Sequence, residues 1–188
     1  MKKTKTIKAI ALALLCTLLV GAAVGIGISA DTTDEDKAKI GMKNLIYDDM
    51  LALAFQLELA ADASGELGLA VWPMDQENPT WENAIYKTDK IYTGTDDDGN
   101  TVKYAVSQGF AAKDLDVMYQ FGAILIVDGV YTVEQIVPYS VDTYIQARID
   151  KIGADPSEYQ KKQLALYDAV ISLGDAADKV LQPTETTE

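Results

Sequence analysis

Leu51, Leu53, Phe55, Leu57 and Leu59 take every second position of one short run, with Ala52, Ala54, Gln56 and Glu58 between them. A repeat of two puts all five large side chains on one face. That is the pattern of a half-buried β-strand, not of a helix. Such a strand must pair along its edges and bury its apolar face against a second layer.

Two turn signals say how pairing is made. Asp128-Gly129 joins the apolar runs 123–127 and 130–137, and a two-residue Asp-Gly loop favours a tight hairpin. Gly94-Thr95-Asp96-Asp97-Asp98-Gly99-Asn100 separates the strand-like runs 81–93 and 101–110, again with residues that tolerate positive φ. Leu67, Leu69 and Val71 alternate in a further strand that ends at Trp72-Pro73. Residues 40–46 read as another strand, bending at Tyr47-Asp48-Asp49, and residues 111–119 as a short helix or turn.

After Pro138 the period changes. Ser140 is placed to cap a helix through Tyr144, Ile145, Ile149 and Ile152, stopped by Gly153. Asp155, with Pro156 next and Glu158 three residues on, reads as the cap of a second helix. Its apolar stripe runs Leu164, Tyr167, Val170, Ile171, Gly174, Ala177 and Leu181. Gly174 in that stripe lowers helix propensity by about 1 kcal/mol relative to alanine, which predicts a close backbone approach there. The expected fold is α+β: an antiparallel β-sandwich or strongly bent sheet over residues 40–138, then two C-terminal helices. No internal repeat and no second domain are read from the chain, so residues 40–181 are expected to form one domain.

The start of the chain has a different character. Lys2, Lys3, Lys5 and Lys8 precede residues 9–30, which carry no charge, and Asp31-Thr32-Thr33-Asp34-Glu35-Asp36 follows. A basic start, an apolar middle and the exit Ile28-Ser29-Ala30 is the layout of a secretory signal cleaved after Ala30. The same stretch is long enough to be an uncleaved membrane anchor. Either reading puts everything after Asp31 outside the cytoplasm. Cys16 is the one cysteine and lies inside this stretch, so the mature chain would hold no thiol and no disulfide. Residues 31–39 read as a polar tether and residues 182–188 as a disordered tail.

Charge and composition close several classes of function. The chain has no histidine, so Ser-His and Cys-His nucleophile pairs cannot be built and a zinc site would lack imidazole. Residues 1–30 hold four of the 16 basic residues and none of the 29 acids, so the remaining 158 residues carry a net charge of −17. That excess repels nucleic-acid phosphates and favours neutral or cationic partners.

Three stretches carry a resemblance. They are Gly109-Phe110-Ala111-Ala112-Lys113-Asp114-Leu115-Asp116, Val137-Pro138-Tyr139-Ser140-Val141-Asp142-Thr143-Tyr144, and residues 166–177 from Leu166-Tyr167-Asp168 to Asp175-Ala176-Ala177. Their order resembles an uncharacterised extracellular module of Gram-positive anaerobe surface proteins. Such modules have a β-rich body, a Tyr-Ser-Val helix entry and a Tyr-Gly-Ala-Ala-like terminal helix. Leu173-Gly174 stands here in place of the Tyr-Gly step, and Asp175 interrupts it. The resemblance spans most of residues 40–181. It implies a surface location and no known catalysis, and it carries over no catalytic residues.

Candidate sites follow from residue type. Trp72, Trp81, Tyr86, Tyr92 and Tyr104 lie on or beside the central strands, where exposed aromatics can stack on sugar rings. Trp72 and Trp81 border the loop between Pro73 and Pro79 and are the sharper pair. Asp96, Asp97, Asp98 and Asn100 form an oxygen-rich turn that is a weak calcium candidate, although the EF-hand spacing fails. Asp48-Asp49 and Asp114/Asp116 are acid doublets near strand ends, the minimum a carboxylate-only glycosidase would need. The leading expectation is a non-catalytic surface module with a structural, adhesive or ligand-recognition role and no cofactor. The alternatives are a carbohydrate-binding module built on Trp72 and Trp81, and a carboxylate-only glycosidase. The expected partner is a surface protein or a glycan, with membrane contact only through residues 1–30 if they are retained.

Overall fold

The computed structural model describes residues 36–47, 50–96 and 99–181. Residues 1–35, Asp48-Asp49, Asp97, Asp98 and the tail at 182–188 lie outside the described residues. The expected tether is shorter than 31–39, because Ala38, which is buried in the core, and Lys39 already belong to a strand.

Eight strands come first: β1 (Ala38–Tyr47), β2 (Leu51–Leu59), β3 (Glu66–Pro73), β4 (Tyr86–Thr88), β5 (Tyr92–Thr95), β6 (Thr101–Phe110), β7 (Tyr119–Val127) and β8 (Val130–Tyr139). A 3₁₀ turn (Ala112–Asp114) precedes β7, and the helices α1 (Val141–Ile149) and α2 (Glu158–Leu181) are the last described elements. The strands form two four-stranded antiparallel sheets, ordered β1-β2-β6-β5 and β4-β3-β7-β8. The architecture is therefore α+β with a sandwich-like body, as the alternation and the late change of period predict.

The sequence signals map onto this body with identifiable physics. Asp128 (φ 51°) and Gly129 (φ 76°) both take positive φ, the geometry that lets a two-residue loop follow the strand twist between β7 and β8. The strand expected over residues 81–93 is instead two short ones. β4 pairs with β3 and β5 with β6, so the chain crosses from one sheet to the other between them. Exposed Asp89 and Lys90, with Ile91 packed against the core, make that crossing.

Leu53, Phe55, Leu57, Leu67, Leu69, Val71, Phe121 and Leu125 fill the space between the sheets. Phe55 and Phe121 meet ring to ring at 4.5 Å. Val141, Tyr144 and Ile145 of α1 and Tyr167 and Val170 of α2 extend the same core. The described core lies between Ala38 and Ile171, so a chain beginning at Asp31 carries all of it.

Both open sides of the sandwich are fastened by side chains. The β8 bulge at Glu134 turns Glu134 and Gln135 toward the free edge of β1. There Gln135 Oε1 accepts from Ile40 N (2.7 Å) and Glu134 Oε2 from Lys37 N (3.0 Å). On the other side Tyr86 Oη donates to the Val106 carbonyl at 3.0 Å. A bulge in β6 leaves the Leu53 amide without a ladder partner, and buried Ser107 Oγ accepts from it at 3.1 Å.

The helix signals hold with two changes, the first being that α1 ends at Ile149, short of the expected Ile152 and Gly153. Ser140 caps α1, its Oγ accepting from Thr143 N at 3.0 Å. The cap of α2 is Ser157, not Asp155. Ser157 Oγ accepts from Gln160 N (3.3 Å) and Gln160 Oε1 accepts from Ser157 N (2.8 Å). Two overlapping capping boxes exist here, and the one used closes both halves of the reciprocal pair. The expected stripe of α2 does face the body, with Tyr167 and Val170 buried.

Candidate functional site

The two tryptophans are brought together, but not as a binding platform. Trp72 alternates out of the inter-sheet core onto the outer face of the β4-β3-β7-β8 sheet, where it joins Ala70, Ile124 and Ile126. The segment between β3 and β4 folds over this face and leaves Trp72 0% exposed. Its Nε1 donates to the Thr80 carbonyl and to Asn83 Oδ1, both at 2.8 Å. Gln120 Nε2 fastens the same segment by donating to the carbonyls of Pro73, Met74 and Gln76. Trp72 is thus a core residue with no face for a sugar, which corrects the expectation drawn from its place beside a loop.

Trp81 is half-buried in the cover itself. Its ring stacks on Tyr131 at 4.4 Å, and the Lys87 ammonium lies 5.3 Å from its centre. Tyr92 and Tyr104 form a cross-strand stacked pair at 5.4 Å on the other sheet, with Lys90 over Tyr92.

In the β5–β6 turn, Asp96 accepts from Asn100 N at 2.7 Å and from Asn100 Nδ2 at 3.0 Å, which closes the loop. Its intended co-ligands Asp97 and Asp98 lie outside the described residues. Among the described residues no group of three acids is arranged to hold a metal ion. Asp114 pairs with Lys113 at 3.3 Å, while Asp116 borders a pocket of about 80 Å³ between α1 and α2. That pocket has an apolar floor of Leu115, Ile145 and Val170 and an acidic rim completed by Asp142, Asp175 and Asp178.

A different cluster has the features of a recognition site. It lies where β1, β8, α1 and α2 meet, and it is built by a shift in strand parity. Gly41 and Met42 form a bulge in β1, so Lys43 and Tyr47 share a face with core Leu45. Tyr139 ends β8, Tyr144 and Arg148 lie one turn apart on α1, and Tyr167 comes from α2.

Arg148 is the chain's one arginine. Its Nε donates to Tyr144 Oη and its Nη2 to Asn44 Oδ1, both at 3.2 Å, and its guanidinium lies 5.2 Å from the Tyr144 ring centre. Lys43 Nζ lies 5.1 Å from the centre of the Tyr139 ring. The ion pairs among the described residues, Lys113–Asp114 and Lys161–Glu158, involve neither cation. In a chain with 29 acids, these two half-buried cations rest on aromatic faces with no carboxylate paired to them among the described residues.

Burial governs the ionisation here. It lowers Lys43 below its ordinary value and pushes Tyr139 and Tyr167 up to about 12. Burial also raises Tyr47, with neighbouring Tyr167 and Tyr144 adding to the shift. The phenols are therefore neutral donors across the physiological range. A guanidinium keeps five N–H donors, of which two are engaged by Tyr144 and Asn44. The rest form a fork that matches a carboxylate. Sequence reading passed over this cluster because its members are scattered from Lys43 to Tyr167. The available signal was the solitary arginine in an acidic chain.

Comparison with protein-family models, with curated proteins and with solved structures finds no match to this chain.

Proposed function

We propose that this protein is a non-catalytic, extracytoplasmic recognition module, and that its ligand surface is the Arg148–Lys43–tyrosine cluster. The ligand class is a carboxylate carried on an otherwise neutral body. The observation behind this reading is the pair of cations without a carboxylate partner among the described residues, set among tyrosine rings. Guanidinium and phenol donors suit the carboxylate, and the rings suit a flat neutral surface. The net charge of the chain opposes a polyanion, whereas an isolated carboxylate meets mainly the local field within a Debye length of about 8 Å. The signal layout at residues 1–30 and the resemblance to surface modules support the location.

A single arginine gives a direct test, because its Nε–H is a unique resonance in a ¹⁵N spectrum. The signal is followed in residues 31–188 during titration with an N-acetylated dipeptide bearing a free C-terminal carboxylate, and with its amide. Saturable displacement by the acid alone, abolished by Lys43→Gln, is expected. An unmoved Arg148 signal, or equal displacement by the amide, overturns the proposal.

A further inference from the structure

We infer that α2 pairs with α2 of a second copy, antiparallel, to make a symmetric dimer. The helix carries two apolar faces. One is the stripe of Tyr167, Val170 and Ile171 that packs on the body. The other is Tyr159, Leu166, Leu173 and Val180, which are 46%, 43%, 55% and 83% exposed.

These four residues recur every seventh position, and exposed Ala169 and Ala176 lie three residues after the two leucines. At 3.6 residues per turn, the second stripe is displaced by roughly 100° from the first. A seven-residue apolar repeat with a second position three residues on is the seam along which two helices pack. From residue 165 to residue 180 this seam carries no charge, on a chain with 29 acids. The whole stripe from Tyr159 to Val180 runs about 30 Å at 1.5 Å per residue, with Lys162 as the one charged residue in it.

Size and charge select the partner and its direction. In one antiparallel register Tyr159 faces the partner's Ala176, and Leu166 faces the partner's Ala169. Leu173 then faces the stem of the partner's Lys162, whose ammonium can reach water. Large residues thus meet alanines, and two backbones can come close. The same register places Glu158, one residue before the seam begins, opposite the partner's Lys179. Glu158 is 85% exposed and holds Lys161 through Oε1, so its second oxygen is available for that contact. Two-fold symmetry repeats the pair at the other end. In a parallel pairing Glu158 would instead face the partner's neutral Gln163, and the charge pair with Lys179 would be lost. Self-complementary charge therefore points to a second copy in the antiparallel sense.

Sedimentation equilibrium of residues 31–188 up to about 100 μM, a range that captures weak specific association, tests this. A monomer–dimer equilibrium is expected, dispersed by Leu173→Glu with the circular dichroism spectrum unchanged. Glu158→Lys or Lys179→Glu alone should weaken the dimer about tenfold, and the double exchange should restore it. A wild-type monomer at the highest concentration overturns the inference and leaves the stripe to residues 1–30 or to another protein. A dimer indifferent to Leu173→Glu, or one the double exchange fails to restore, also overturns it.

Discussion

The indole of Trp72 lies against the backbone of Gly122 on the neighbouring strand β7. A β-carbon on Gly122 would sit 2.5 Å from Trp72 Cζ3 and 2.7 Å from Cη2. Neither ring atom belongs to a flexible chain end, and the indole is pinned by Nε1 to Thr80 and Asn83. Gly122→Ala must therefore displace the ring or part the strands, at a cost of about 1–3 kcal/mol. Urea unfolding should show a lower midpoint, and tryptophan emission should move to the red as Trp72 meets water. An unchanged midpoint would mean that the cover over Trp72 yields freely.

Gly174 behaves in the opposite way. An added β-carbon there would lie 3.5 Å from the Ala112 carbonyl oxygen and 3.6 Å from Leu115 Cδ1, both ordinary contacts. It would enter the small pocket that Gly174 lines. The close approach expected from a glycine in mid-stripe is absent, and the residue merely weakens its helix. Gly174→Ala should raise stability by up to about 1 kcal/mol and lift the thermal midpoint. A fall would show that the contact with the 3₁₀ turn is tighter than these distances state.

Positions 128–129 and 72 show where local reading succeeds and where it stops. The hairpin at Asp128-Gly129 and the cap at Ser140 are legible because the residues that decide them are neighbours in sequence. The sandwich follows from the alternation in β2, since one apolar face requires a second layer. Trp72 is different. In β3 the inward set is Leu67, Leu69 and Val71, and the outward set is Gly68, Ala70 and Trp72. Whether that outward set is wet depends on whether the irregular segment at 74–85 folds back over it, which no local pattern states. The split of residues 81–93 between two sheets likewise depends on which edges are open. The Arg148 cluster draws on four elements, and its rings meet only after the β1 bulge has reset the parity of Lys43 and Tyr47.

The same cluster fixes how stability should respond to alkali. Burial holds Tyr139 and Tyr167 at about 12 against an ordinary 10.0. Between those values the folded chain keeps phenolic protons that the unfolded chain has lost. Stability then falls as pH rises, because the folded state binds the more protons. The contribution is fully present below pH 10 and is lost as pH rises through about 12. Lys43 acts in the opposite sense. Its lowered value means the folded state sheds a proton first, so it offsets part of the decline around its own titration. Two tyrosines against one lysine leave a net fall, and Tyr47, raised further, extends it upward. Urea midpoints measured from pH 8 to pH 11.5 should drop steadily above pH 10, with a shallower slope in Tyr139→Phe. A flat profile, or a slope indifferent to that substitution, would mean that the phenols reach water and that burial does not set their ionisation.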